Sequence, residues 1–235
     1  MPALMPEWLA RWFVLRSIGR SLRHSLASVA VAGELPRRGA VIAANHGSWW
    51  DGYLLGGLAG AVGRRSSTMM TAHQLATFPF LRLVGAVGTD GSRALVRSAT
   101  DGRWVVVFPE GDLQAGPALA PLHPGAAWIA RTAGVPLVPV AVRFVLRGAP
   151  QPEAVVRFGE PIDVATLRAP EATVVLAARL EAELERLDAD LAAADPEHDL
   201  VGYRVLLRGS AGRRDDVGLQ VRALAWFSGV PSVRR

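Results

Sequence analysis

Residues 39–62 read Gly-Ala-Val-Ile-Ala-Ala-Asn-His-Gly-Ser-Trp-Trp-Asp-Gly-Tyr-Leu-Leu-Gly-Gly-Leu-Ala-Gly-Ala-Val, and their pattern changes twice. The apolar run Ala40–Ala44 is short and unbroken, as expected of a strand buried on both faces. A polar, glycine-containing stretch follows, and then Gly52–Val62 reads as a helix. The same change recurs along the chain. Thr68–Thr71, Ala86–Thr89, Trp104–Phe108, Leu137–Phe144 and Ala154–Phe158 read as further strands, flanked by Gly or Pro. Ser92–Thr100 and Gly125–Thr132 read as helices between them, and a long amphipathic helix follows from about residue 170 to 194. Strand–helix alternation predicts an α/β fold: a mostly parallel sheet with right-handed crossovers, flanked by helices.

Composition narrows the chemistry. The 235 residues are 50% hydrophobic and 20% charged, which excludes a disordered chain and fits one domain with short appendages. Cysteine is absent, so a disulfide framework, a thiol nucleophile and a cysteine-ligated zinc site are excluded. The net charge is +5, and all 26 basic side chains are Arg. Without lysine there is no Schiff base and no Walker lysine. An Arg-only, Ala- and Gly-rich chain reads either as the composition of a GC-rich genome or as a surface that prefers anions: nucleic acid, acidic lipid or a phosphorylated substrate. Nucleic acid is not expected as the partner, because the arginines are scattered and no recognition motif accompanies them.

Three regions are expected: an N-terminal helix over 1–34, an α/β core over 35–165 and a helical C-terminal extension over 166–235. From Pro6 to about Val31, residues Val14, Leu15, Ile18, Leu22, Leu26 and Val29 share one helix face, and Arg16, Arg20 and Arg23 the other. Trp8, Trp12 and Phe13 stand at the front end. Two readings fit: a segment lying in an anionic membrane interface, or a first helix packed on the domain with solvated arginines. No run is apolar enough for a transmembrane helix. The tail beyond Pro196 carries Arg204, Arg208, Arg213, Arg214, Arg222, Arg234 and Arg235 among apolar residues. It reads as a helical subdomain, a second membrane patch or a docked tail.

Three stretches carry candidate chemistry. The first is Asn45-His46-Gly47-Ser48-Trp49-Trp50-Asp51, between a strand and a helix, where open α/β sheets place their ligands. On a regular helix a spacing of five would point His46 and Asp51 apart. They meet only across an irregular turn at Gly47 and Ser48, where Asp51 fixes the imidazole tautomer and frees the other nitrogen as a base. The bland reading is a helix cap at Asp51 or Ser48, with His46 a loop residue. The second stretch is Phe108-Pro109-Glu110-Gly111, a tetrapeptide expected by chance in only about two chains per thousand. Pro109 ends the strand and Gly111 permits a turn, which sets Glu110 at the same sheet edge as His46. The third is Gly134-Val135-Pro136-Leu137-Val138-Pro139-Val140, whose prolines are expected to shape the floor of the crevice.

Together, over about residues 35–160, these blocks resemble the glycerolipid acyltransferase superfamily, whose best known members are the 1-acylglycerol-3-phosphate acyltransferases. His46 and Asp51, with Asn45 before them, match its His-x4-Asp block. Arg93, with Arg97 as the alternative, matches an Arg block. Phe108, Pro109, Glu110 and Gly111 match Phe-Pro-Glu-Gly-Thr-Arg-Ser, and Val135 and Pro136 match the Val-Pro block. The resemblance implies a glycerol-3-phosphate acyltransferase-like fold. It also implies acyl transfer from an acyl thioester, on coenzyme A or acyl carrier protein, to a lipid hydroxyl, with no cofactor and no metal. His46 would be the general base, oriented by Asp51. Asn45, Arg93, Phe108, Pro109, Glu110, Gly111, Val135 and Pro136 would form the substrate site, with Arg93 the anion contact. The enzyme would sit peripherally on the cytoplasmic face of the cell membrane. Asp112-Leu113-Gln114 stands where the family has Thr-Arg-Ser, which points to an acceptor other than lysophosphatidic acid. The rival readings are an inactive scaffold or membrane-binding protein of this fold and an acyl-thioester hydrolase.

Overall fold

A computed structural model describes residues 5–209 and 226–228. In chain order the elements are α1 (Glu7–Ser25), β1 (Ser28–Ala32), β2 (Ala40–Ala44), α2 (Asp51–Ala61), β3 (Ser66–Met70), α3 (Ala72–Thr77), β4 (Ala86–Gly88), α4 (Ser92–Thr100), β5 (Trp104–Val107), α5 (Gly125–Ala133), β6 (Leu137–Val145), β7 (Glu153–Phe158), α6 (Ala169–Ala193) and β8 (Arg204–Arg208). Pro79–Val84 adds a 3-10 turn before β4. The strands form one sheet in the order β4-β3-β5-β2-β6-β7-β1-β8. From β4 to β6 every pairing is parallel. β7 is antiparallel to β6, and β8 antiparallel to β1. The expected mostly parallel α/β sheet is therefore present, with an antiparallel margin.

Side chains alternate across the sheet as the pleat requires. Ala40, Ile42 and Ala44 of β2 and Trp104 and Val106 of β5 share one core with Leu54, Leu55 and Leu58 of α2 and Leu22 of α1. Val41, Ala43, Val105 and Val107 face the other way, against Leu95 of α4, Ile129 of α5 and Leu176 of α6. Trp104 is fully buried, and its indole N–H donates to the Pro36 carbonyl at 3.0 Å. α6 is held to the sheet by ions as well. Arg157 of β7 bonds Glu183 at 2.7 Å and Asp190 at 3.2 Å, and the Tyr203 hydroxyl donates to Asp190 at 2.9 Å. Burial, chiefly, pushes the Tyr203 phenol up to about 12.

Two expectations are corrected at the chain ends. The N-terminal helix stops at Ser25, and Leu26 is already extended, with φ −116° and ψ 142°. Ser28–Ala32, expected to continue the helix, is instead a strand buried at every position, between β7 and β8. The Val-Ala-Val alternation suits a strand sandwiched between two layers better than one helix face. Towards the other end, the helical extension is present as α6, but the chain then returns to the sheet as β8, carrying Arg204 and Arg208. The tail arginines 213, 214, 222, 234 and 235 lie outside the described residues.

Gly33 and Gly134 both adopt positive φ, 83° and 65°, but their surroundings differ. A Cβ at Gly33 would overlap the Phe158 carbonyl oxygen, whereas one at Gly134 would meet nothing within 4 Å. In urea denaturation Gly134→Ala is expected to cost about 1 kcal/mol for the left-handed backbone alone. Gly33→Ala is expected to cost a further 1–3 kcal/mol or so for the overlap. Equal losses would mean that the β1–β7 contact yields freely.

Candidate active site

β2 and β5 are parallel neighbours in the middle of the sheet, with Ala43 opposite Val107. The chain therefore leaves both strands at the same edge. It enters the His46 loop from β2 and the Phe108-Pro109-Glu110-Gly111 loop from β5. Ser48 and Trp50 form the irregular turn that the five-residue spacing demanded. The Asp51 N–H donates to the Ser48 carbonyl at 3.2 Å, and the Trp50 N–H to Ser48 Oγ at 3.2 Å. Across this turn His46 Nδ1 lies 2.9 Å from Asp51 Oδ2, which also accepts from the Ser48 N–H at 2.9 Å. Asp51 is 1% exposed and begins α2, where the helix dipole favours a negative group. Its other oxygen, Oδ1, is buried without a hydrogen-bond partner among the described residues. A carboxylate only accepts, so Nδ1 carries the proton and Nε2 presents a lone pair. Phe108 stacks on the imidazole, with centroids 4.2 Å apart and planes 18° apart, which fixes the remaining freedom of the ring.

The backbone of His46 is held on both sides. Its N–H donates to Glu110 Oε1 at 2.7 Å, and its carbonyl accepts from the Gln114 N–H at 2.8 Å. Glu110 Oε2 accepts from the Ala120 N–H at 2.9 Å. Both oxygens of this buried carboxylate are thus spent on backbone, so Glu110 positions His46 rather than lining a substrate site. Pro109 likewise serves the loop, its carbonyl accepting from the His123 N–H at 2.8 Å. Gly111 takes φ 84° at the turn, where an added Cβ would crowd the His123 ring at 3.4 Å.

An apolar cavity of about 300 Å³ opens at His46. Phe108, Gly111 and Leu113 line its mouth; it passes between α2 and β3 and reaches Gly60 and Ser66 at the far end of that strand. Ile18 and Leu22 of α1 form part of its wall, while Gly52, Gly56 and Gly60 leave the facing side of α2 bare. The glycine spacing of four, which places all three on one helix face, is the signal in the sequence for this bare side.

Other expected site residues lie elsewhere. Asn45 is buried and mimics a strand residue: its amide N donates to the Val142 carbonyl at 3.1 Å, and its oxygen accepts from the Val142 N–H at 2.8 Å. Neither polar atom is left for a substrate. Val135 and Pro136 precede β6, which runs parallel to β2, so they stand at the opposite edge of the sheet from His46. They do not floor the crevice. Arg93 and Arg97 are exposed on α4, which packs on the other face of the sheet, and neither lines the cavity. Thr89, just before α4, does line it.

Residues 28–143 match the family model described as Acyltransferase. A lyso-ornithine lipid O-acyltransferase of Pseudomonas aeruginosa is 30% identical over 159 residues, covering 62% of this chain and 57% of that protein. The chain therefore spans little more than half of that relative's length. The crystal structure of the 1-acyl-sn-glycerophosphate (LPA) acyltransferase from Thermotoga maritima has the same fold. It superposes with a TM-score of 0.59 at 20% identity, over 79% of this chain and 85% of that one. Residues 28–143, which carry both the His46–Asp51 pair and the Phe108–Gly111 turn, match the Acyltransferase family, and the comparisons together support the glycerolipid acyltransferase superfamily.

Proposed function

We propose that this protein moves a fatty acyl group from an acyl thioester, on coenzyme A or acyl carrier protein, to a hydroxyl of a glycerolipid or related lipid acceptor. The observation that carries the proposal is the place of His46: it lines an apolar cavity, and buried Asp51 holds Nδ1. The acyl chain lies in the cavity, between the bare side of α2 and Ile18 and Leu22 of α1. The acceptor hydroxyl approaches Nε2. As its oxygen attacks the thioester carbonyl, Nε2 takes the hydroxyl proton, and Asp51 offsets the charge of the imidazolium that results. Collapse of the tetrahedral intermediate breaks the carbon–sulfur bond, and the imidazolium proton passes to the departing thiolate. The chain's own side chains and the two substrates complete this cycle, with no covalent acyl-enzyme and no metal.

The acceptor we propose is a lipid alcohol other than lysophosphatidic acid. Leu113 stands at the cavity mouth where the family pattern has Arg, and Asp112 beside it is a carboxylate. The printed acceptor of the Pseudomonas relative, a lyso-ornithine lipid, is in keeping with this choice. We place the enzyme peripherally at an anionic membrane surface, on its cytoplasmic side. Among the described residues no helix is long and apolar enough to cross a bilayer, and the front of α1 exposes Trp8, Trp12 and Phe13.

Replacement of His46 by Ala is expected to lower acyl transfer by about 10²–10⁴-fold with the urea midpoint unchanged. A rate near that of the unaltered chain would remove His46 from the chemistry. Thiol release is expected to depend on added acceptor. Equal release without one would make the protein a thioester hydrolase. In a panel of lipid alcohols, lyso-ornithine lipid or another phosphate-free acceptor is expected to outpace lysophosphatidic acid, and the reverse order would refute the acceptor assignment. Glu110→Gln turns one acceptor into a donor facing a backbone N–H, so one of its two bonds is lost. It is expected to lower kcat about tenfold while the KM for the donor stays within about twofold, because it misplaces the base without touching substrate.

A further inference from the structure

A second concavity, of about 390 Å³, lies at the other end of β3 from the candidate active site. Arg11 of α1, Arg65 just before β3, Arg82 in the 3-10 turn and Arg103 just before β5 converge on it, with Glu7 the single acidic residue in its wall. Four guanidiniums against one carboxylate leave a strong positive excess. None of the four lies within ion-pair distance of a carboxylate among the described residues. Their mutual repulsion is felt at Arg11, whose pKa falls below the ordinary arginine value through burial first and then through Arg65 and Arg103, with Glu7 opposing. Such convergence raises the energy of the empty fold and is offset when an anion occupies the site. The planar guanidinium fork matches phosphate oxygens two at a time.

The acceptor's own headgroup is not that anion. β3 spans five residues, Ser66–Met70. At about 3.3 Å per residue this sets the arginines some 13 Å or more from the edge that carries His46. A headgroup a few bonds from the reacting hydroxyl does not reach so far. Trp8 points to another source, since it lines the same concavity and is 71% exposed. One turn on, Trp12 is 49% and Phe13 51% exposed, and Arg16 lies over the Trp12 ring at 5.4 Å. Exposed Trp and Arg on one helix suit the headgroup layer of a bilayer, where indoles sit beside lipid phosphates.

We propose that Arg11, Arg65, Arg82 and Arg103 form a binding site for the phosphate of an anionic membrane phospholipid, distinct from the acyl-transfer site, which docks the amino edge of the sheet onto the bilayer. It rests on the interfacial placement of α1 proposed above and not on the acyl-transfer chemistry.

The test is vesicle flotation of the full chain without substrates, using phosphatidylcholine vesicles with and without phosphatidylglycerol. Arg65 and Arg82 are exposed, so the double variant R65Q/R82Q removes two charges without disturbing the core. Arg131 and Arg179 are exposed on α5 and α6, across the sheet, and R131Q/R179Q removes the same charge there. At about fivefold for each basic side chain near an anionic surface, R65Q/R82Q is expected to weaken binding to phosphatidylglycerol vesicles by some tenfold to thirtyfold. R131Q/R179Q is expected to change it by less than about twofold. Equal losses in the two variants would reduce the site to diffuse charge, and binding left intact by R65Q/R82Q would overturn it outright. Failure of the unaltered chain to float with phosphatidylglycerol would overturn the interfacial placement of α1 and this site together, while leaving acyl transfer to be judged by its own assays. Saturable thermal stabilisation by inorganic phosphate or coenzyme A, lost in R65Q/R82Q while flotation persists, would replace the lipid with a soluble phosphate and refute the assignment.

Discussion

The Glu110 carboxylate, 2.7 Å from the His46 N–H and 2.9 Å from the Ala120 N–H, is the contact on which the site depends. Burying a carboxylate costs several kcal/mol unless its oxygens are well satisfied. Here each oxygen takes a backbone donor, one from the loop after β2 and one from the loop after β5. The two loops are thereby tied at a fixed offset. The tie works only because β2 and β5 are parallel neighbours in register, so that both chains emerge at one edge. The bond from Gln114 to the His46 carbonyl completes the hold. An imidazole fixed by backbone on both sides, by Asp51 at Nδ1 and by Phe108 on its ring has little freedom left to lose in the acyl-transfer role proposed for it.

The sheet divides its two faces between support and ligand space. On one side α4, α5 and α6 cover the strands with small and branched apolar residues, and the Arg157–Glu183–Asp190 network fastens α6 along β7. On the other side α2 packs closely through Leu54, Leu55 and Leu58, yet its glycines withhold side chains from the neighbouring stripe. The cavity exists because one helix presents leucines to the core and glycines to β3. Space of that shape inside an otherwise close-packed layer is specified by the sequence, not left over from it.

The parts legible in the sequence are those where a local pattern had one physical meaning. Ala40–Ala44 and Ser92–Thr100 have the boundaries their sequence predicts, since an unbroken apolar run and a strongly amphipathic segment each admit few alternatives. Ser28–Ala32 was misread because Leu26 and Val29 also fit the helical face of the preceding segment. Only the partners on either side, β7 and β8, decide the matter, and they lie more than a hundred residues away. Val135 and Pro136 show a different limit. A proline block beside a strand says nothing of which edge it occupies until the direction of the strand is known, and a block that precedes a parallel strand stands at the amino edge. Asn45 adjoins His46 in sequence, yet its side chain lies across the β2–β6 seam, because the pleat turns successive residues to opposite sides.

α1 joins the two halves of the functional picture. Leu22 is buried in the core and Ile18 packs beside it, both in the cavity wall, while Trp8 and Trp12 on the leading turns face outward. The interfacial reading and the packed reading of this helix are therefore not rivals: its rear half packs on the core, and its front half is the part that the proposed interfacial placement would use. The same division explains its modest amphipathicity, since no single stripe has to do both tasks along the whole length. A helix that walls the apolar cavity and also presents Trp and Arg outward puts the ligand space next to the surface most suited to a bilayer. Under the function proposed above, a long-chain lipid would move only sideways past α1 to enter, rather than be carried through water.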